Sequence, residues 1–266
     1  MKKNIFFKNF PLLMCVALGL SLTGCGSFTT TKLTVASYNV KCLSYGSQLN
    51  QIAEEIKMLN PDIIGLQELD SFTVRSGKED QIKLLAENSG YKYYCFTKTI
   101  SYDGGEYGHG IMSKYPIKSY EVIEFDAQDS ETRCYSRSVI DVNGKEIVFY
   151  NTHLEFMGDY QTKQMAELVE KTKTDKYFII TGDMNCEPQR LQSAIDNERM
   201  IMLNGGETYT NPINTCPEGE NSHEAIDNII VSRNLNYYFD KEKDSGIMVN
   251  VSDNSDHNMI YTKIEF

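Results

Sequence analysis

The sequence predicts an α/β fold in which two β-sheets pack face to face with helices outside. Short apolar, β-branched runs recur from Leu33 to the C-terminus. Helical periodicity appears only after the first, second and sixth of these runs, with hairpin signals between. Hydrophobic residues make up 41% of the 266 positions and charged residues 24%, which fits one soluble body around a single two-sheet core.

Leu33 to Val40 reads as a buried strand. Ser47 is placed to cap the next helix, where Leu49, Ile52, Ala53, Ile56 and Leu59 recur at helical spacing until Pro61 stops it. Asp62 to Leu69 is the second strand, with Glu68 near its C-terminal end. Asp80 to Asn88 is a helix with Ile82, Leu85 and Ala86 on one side, ended by Gly90. Tyr91 to Thr97 is an aromatic strand, and a glycine-rich loop from Asp103 to Gly108 leads into Ile111-Met112-Ser113. Tyr115-Pro116 marks a turn. Cys134 to Val142 and Glu146 to Thr152 form a hairpin around Asn143-Gly144. Tyr160 to Lys171 is a helix, and Tyr177 to Thr181 a strand feeding Gly182-Asp183. After an irregular stretch around residues 204–223, Ile226 to Val231 and Asn258 to Ile264 are the last strands.

The N-terminal residues stand apart from this body. Lys2, Lys3 and Lys8 form a basic region, and Pro11 to Leu22 an apolar segment short for a membrane span. Leu22-Thr23-Gly24-Cys25 resembles the bacterial lipoprotein signal, cut before a cysteine that carries the lipid; an ordinary secretory signal is the alternative. The resemblance implies a leader over residues 1–24, lipidated Cys25 and a tether over residues 25–32, and a catalytic body over residues 33–266. Such a protein is extracytoplasmic and lipid-anchored to a bacterial membrane, without spanning it.

The net charge is −11, and loss of the three leader lysines takes it to −14. A body this acidic repels polyanions and argues against tight non-specific duplex binding. It does not exclude a nuclease, because a bound divalent metal inverts the local sign. Beyond Cys25 stand Cys42, Cys95, Cys134, Cys186 and Cys216, an odd number without a CxxC pair. That pattern points to buried free thiols, not a zinc cluster or a full disulfide framework.

Five polar motifs sit at strand ends: Tyr38-Asn39-Val40, Leu66-Gln67-Glu68, Asn151-Thr152-His153-Leu154, Gly182-Asp183-Met184-Asn185 and Ser255-Asp256-His257. Together they suit a metal-dependent phosphoesterase, which needs charge neutralisation, an activated water and a stabilised leaving group. Glu68, Asp256 and Asn39 offer oxygen ligands for a hard cation. With no Cys/His ligand set, magnesium, or manganese, is favoured over zinc. Asp183 can take a proton from water, and Asn185, on the same side of an extended loop, can fix its geometry. His153 and His257 can donate to phosphate oxygens, with Asp227 holding His257 protonated and oriented.

This motif order resembles the endonuclease/exonuclease/phosphatase superfamily, which includes deoxyribonucleases, abasic-site endonucleases, neutral sphingomyelinases and inositol-phosphate phosphatases. The resemblance covers about Leu33 to the C-terminus. It implies a four-layer α/β sandwich, with two central mixed β-sheets flanked by helices, and a divalent metal. It makes Glu68 the principal metal ligand with Asn39 and Asp256 near it, Asp183 and Asn185 the water-activating pair, and His153 and His257 phosphate contacts, the latter paired with Asp227. Glu131-Thr132-Arg133 resembles a segment that sets an arginine on the substrate phosphate. The run from Arg75 to Gln81 resembles one common in small secreted bacterial members, and Arg75 is a second candidate phosphate contact. Lys41 departs from the pattern, standing where abasic-site endonucleases usually carry an acid. His109 stands where an asparagine or small residue is expected, and it and His223 read as loop histidines.

The leading reading is a phosphodiesterase acting on a small or lipid-borne headgroup. Alternatives are a nuclease on extracellular nucleic acid, a phosphomonoesterase on sugar or inositol phosphates, and a non-catalytic binding protein. No basic stripe with interleaved aromatics announces a nuclease. Cys25→Ser is expected to leave the membrane fraction or stay unprocessed, and mass spectrometry of the mature protein should find acyl chains on Cys25.

Overall fold

A computed structural model describes residues 30–126, 131–206, 212–217, 224–238, 246–248 and 254–266. The expected leader, Cys25 and His223 lie outside the described residues. The fold is the α/β sandwich the sequence predicts. Its first half runs β1 (Lys32–Asn39), α1 (Leu49–Leu59), β2 (Ile63–Ser71), α2 (Gln81–Ser89), β3 (Tyr93–Tyr102) and β4 (Gly105–Ser113). The second runs β5 (Ile117–Glu124), β6 (Cys134–Val142), β7 (Lys145–His153), α3 (Tyr160–Lys171), β8 (Phe178–Asp183), α4 (Pro188–Leu191), β9 (Met200–Met202) and β10 (Asp227–Ser232). Three strands follow: β11 (Asn236–Tyr238), β12 (Gly246–Met248) and β13 (Met259–Glu265).

One sheet has the order β11-β13-β1-β2-β4-β3, with β12 also on β13; the other has the order β5-β6-β7-β8-β10-β9. Each is mixed, with one parallel pair: β1 with β2, crossed by α1, and β7 with β8, crossed by α3. Strand alternation sorts the apolar residues into three layers. Leu33, Val35, Ile63, Phe149, Ile179 and Ile229 fill the space between the sheets. Ala36, Tyr38, Ile64 and Leu66 face outward onto Ile52 and Ile56 of α1 and Ile82 and Leu85 of α2. Tyr150, Phe178 and Ile180 face the other way, onto Met165 and Leu168 of α3 and Leu191 of α4.

Several local expectations are corrected. Gln48, not Ser47, precedes α1, and no side chain caps it; the Ser47 hydroxyl donates to the Ser44 carbonyl at 2.9 Å. Asn60 ends α1 in a left-handed conformation (φ 53), one residue before Pro61. The expected glycine-rich loop is mostly strand, turning only at Asp103-Gly104. Gly105 and Gly108 serve close packing: a Cβ on Gly108 would sit 1.9 Å from the Thr97 carbonyl oxygen. His109 therefore lies on β4, fully buried, and not in a loop. The edge strands β5, β9, β11 and β12 carried too little periodicity to be seen in the sequence. All five described cysteines are free thiols, three buried and two partly exposed.

Toward one end of the inter-sheet layer the side chains turn polar. Asn151 on β7 accepts at Oδ1 from Gln67 Nε2 (2.7 Å) and Thr181 Oγ1 (3.0 Å), and donates from Nδ2 to the Leu66 and Gly110 carbonyls at 3.0 and 2.8 Å. Gln67 also donates to Ser37 Oγ at 3.2 Å. The sheets approach tightly at Gly65, where a Cβ would lie 2.2 Å from Thr181 Oγ1 and 2.4 Å from Asn151 Oδ1. Neither atom ends a flexible chain. Gly65→Ala is therefore expected to destabilise the fold by about 3 kcal/mol, the upper range for overpacking, read as a lowered denaturant midpoint.

Candidate active site

The parallel pairs end on one rim, the carboxyl end where such strands gather ligands. Ser37, Asn151 and Thr181 lie two residues before Asn39, His153 and Asp183, so each pair shares a strand face. The register sets His153 beside Asp183 on one side and Asp227 beside it on the other, with Asn39 beside Gln67 in the facing sheet. Glu68 leaves the strand pattern through a left-handed residue (φ 54), where the β2–β4 pairing shifts between Leu66 and Leu69.

Asn39 donates from Nδ2 to Glu68 Oε1 and to Asp183 Oδ2, each at 3.0 Å. Its Oδ1 accepts from the Lys41 amide at 3.0 Å, so it bridges the two carboxylates through nitrogen. His257 Nδ1 lies 2.7 Å from Asp227 Oδ2. The Nε2 atoms of His257 and His153 stand 3.6 and 3.5 Å from Asp183 Oδ2. Ser255 Oγ donates to the Asn39 carbonyl at 2.7 Å and accepts from the His257 amide at 3.2 Å, holding the C-terminal motif against β1. Asn185 is left-handed (φ 51), not extended as expected; its amide donates to Asp183 Oδ1 at 2.9 Å and its Nδ2 to the Leu154 carbonyl at 2.8 Å.

The structure thus brings Asn39, Glu68, His153, Asp183, Asn185, Asp227, Asp256 and His257 to one rim. Arg133 and Arg75 stand further out, on the wall of a cleft of about 390 Å³ that Glu68 and Asp256 also line. Arg133 is almost wholly buried, with Nη2 3.3 Å from Glu131 and Nε 3.8 Å from Glu155 Oε2. Neither Arg133 Nε nor Glu155 Oε2 makes a hydrogen bond. Arg75 is largely committed elsewhere: Nε and Nη2 fork onto buried Asp70 at 2.8 and 2.7 Å, and the guanidinium stacks on Tyr102 at 4.5 Å from its centroid. A cleft of about 450 Å³ at the opposite end of β1 and β13 is lined by none of these residues.

Burial governs the charges. It pushes the Asp183 carboxyl up to about 7, and neighbouring Asp227 adds to the rise. Burial also raises Glu68, outweighing the hydrogen bond from Asn39. Buried His153 lies well below the ordinary imidazole range, helped by the charges of Arg133 and His257, and is neutral. His257 is buried too, but Asp227 and Asp183 overcome that penalty and raise it well above the usual range. Two histidines thus face one carboxylate in different states.

The residues fit a divalent cation. Asp183, Asp227 and His257 offer ligand atoms within 4.8 Å of one another and could hold a metal. His257, however, spends Nδ1 on Asp227, whereas Glu68 is a buried carboxylate that lines the cleft together with Asp256. Hard oxygen donors on Glu68 and Asp256, with Asn39 bonded to Glu68 beside them, make the better set.

Fold and rim together define a metal-dependent phosphoesterase. The chain belongs to the endonuclease/exonuclease/phosphatase family, whose sequence profile matches residues 36–244. A 5'-tyrosyl-DNA phosphodiesterase of Caenorhabditis briggsae is 25% identical over 178 residues, covering 62% of this chain and 47% of its own length. A family member from Beutenbergia cavernae superposes with a TM-score of 0.70 at 18% identity, over 88% of this chain and 72% of that one. A mannosyl-6-phosphatase of Bacteroides thetaiotaomicron gives 0.64 at 20% identity, over 88% of this chain and all of its own. At these identities the two structures speak to the fold alone.

The sequence motifs include Ser255 and Asn151 without a role for either, and none singles out Glu155, Ser37 or Thr181. The two-residue offset of Ser37, Asn151 and Thr181 from Asn39, His153 and Asp183 was the signal for their support of the rim. Glu155 left none, because its pairing with Arg133 joins two loops. Glu68→Gln is expected to keep the fold and lose magnesium binding in calorimetric titration.

Proposed function

We propose that this phosphoesterase is a phosphodiesterase cleaving the diester of a small or lipid-borne headgroup with magnesium. The observation that carries the reading is the setting of Asp183: buried, close to neutral pKa, and within reach of both histidines, Asn39 and Asn185. A base poised near the working pH combines a useful ionised fraction with a useful drive for proton uptake. Asp183 Oδ2 takes the proton of the attacking water while the Asn185 amide fixes Oδ1. His257, held cationic by Asp227, and His153 donate to non-bridging oxygens as these gain charge. Glu68 and Asp256 would hold the cation, with Asn39 positioned beside them, and the cation would supply charge neutralisation and polarise the phosphoryl group. Arg133, and more weakly Arg75, offer donors to the substrate phosphate from the cleft wall.

The names of the relatives include a phosphodiesterase and a sugar phosphatase, so monoesters and diesters both belong in the substrate screen. Mature protein would be tested with magnesium against DNA, RNA, sphingomyelin, phosphoinositides, sugar phosphates and nucleotides. Turnover confined to nucleic acid would support the nuclease alternative, and absence of chelator-sensitive turnover the binding-protein one. Lipidation at Cys25 and an extracytoplasmic location belong to the same proposal and rest on the leader motif.

Asp183→Asn is expected to lower kcat by about 10²–10⁴-fold with little change in KM, as for loss of a general base. His257→Ala should be comparably severe, and Asp227→Asn milder, because it acts through His257. Steady-state kinetics with circular dichroism checks all three. Folded Asp183→Asn protein with near wild-type kcat would overturn the mechanism.

A further inference from the structure

Lys41 stands where the site chemistry leaves no evident place for a cation, yet the fold builds it in. Residues 41–45 are all left-handed, with φ of 46, 51, 52, 45 and 61, and none is glycine. A run of residues with Cβ atoms in this region is disfavoured and persists only where surrounding contacts impose it. Those contacts are present. The Lys41 amide donates to Asn39 Oδ1 at 3.0 Å, Gln81 Nε2 to the Cys42 carbonyl at 2.7 Å, and Arg75 Nη2 to Cys42 Sγ at 3.2 Å. The turn aims the Lys41 side chain back over the rim. Its Nζ lies 3.1 Å from Asp256 Oδ2, and it lines the cleft with Glu68 and Arg133. An ammonium therefore pairs with a carboxylate that the proposed site offers to a divalent cation.

We propose that Lys41 is an internal counter-ion of Asp256 that gives this carboxylate up to the divalent cation and then turns its ammonium to the substrate phosphate in the cleft. The proposal rests on the metal reading of Glu68 and Asp256. The pair is partly open to water, with side chains 49% and 30% exposed, so exchange of partners is cheap. Lys41 reaches the phosphate from the cleft, whose lining includes neither His153 nor His257. A compact ammonium on a flexible stem suits this movement better than a planar guanidinium fixed by a fork.

The test is calorimetric titration of magnesium into the full chain at low ionic strength, followed by inorganic phosphate at saturating magnesium. Lys41→Met should bind magnesium about two- to fivefold tighter, the range set by loss of one exposed competing pair. It should bind phosphate several-fold more weakly. Lys41→Arg, which keeps the charge, should stay near wild type on magnesium. Circular dichroism confirms that the turn tolerates each change. Unchanged magnesium affinity in folded Lys41→Met, with binding still abolished in Glu68→Gln, would overturn the counter-ion role and leave the metal site standing. Tighter magnesium with unchanged phosphate affinity would overturn the substrate role. Binding retained in Glu68→Gln would remove the metal reading and this inference together.

Discussion

A buried amide joins the two sheets directly beneath the rim. Asn151 reaches across from β7 and uses both ends of its side chain, accepting from Gln67 and Thr181 and donating to the backbone at Leu66 and Gly110. Leucine and isoleucine can fill the gap elsewhere but cannot set its register. Each of the amide's bonds fixes a distance and a direction, and a partner left unsatisfied would be costly in so dry a layer. Gly65 is the backbone counterpart of this contact, because the sheets come too close there for any side chain. The rim inherits the alignment. A strand carries position i to position i+2 with little freedom, so placing Ser37, Asn151 and Thr181 places Asn39, His153 and Asp183.

The rim then gathers more negative charge than the protein groups neutralise. Glu68, Asp183, Asp227 and Asp256 converge, and two of them are raised by burial. Asp227 finds His257, and Asp256 finds Lys41. Glu68 and Asp183 share the side-chain amide of Asn39, and Asp183 also accepts from the Asn185 backbone amide, but neither has a close cationic hydrogen-bond donor among the described residues. Burying carboxylates without full compensation is unfavourable for folding. Its persistence here makes sense where a cation completes the site. The contrast between neutral His153 and cationic His257 has the same origin, since only His257 has an acid at its back.

Much of this was legible because strand ends in such a fold carry their chemistry in short contiguous motifs. Gln67-Glu68, Gly182-Asp183-Met184-Asn185 and Ser255-Asp256-His257 each follow or precede an apolar run, and the apolar run gives their position. What escaped the sequence depended on backbone conformations that composition does not announce. Asn185, Glu68 and residues 41–45 take left-handed paths without glycine, imposed by tertiary hydrogen bonds. Glycine misled in the opposite direction. At Gly105 and Gly108, inside the expected loop, it marks close strand packing. Arg75 shows a third limit: a motif resemblance located the residue, but its bonds to Asp70 come from a contact only the fold reveals.

The charge of the whole and the charge of the cleft point in different directions. At −11, the chain presents an acidic field that opposes the approach of a long polyanion. Within the cleft, Lys41, Arg75 and Arg133 balance Glu68, Glu131 and Asp256 before any cation binds. A divalent ion tips that local balance positive, yet its influence fades within about a Debye length, ~8 Å at physiological salt. A single phosphoester inside the cleft feels the local field. A duplex laid across the surface feels the acidic one along most of its contact. These electrostatics support the proposed reading of a compact phosphoester met at short range, in place of an extended nucleic acid steered from afar.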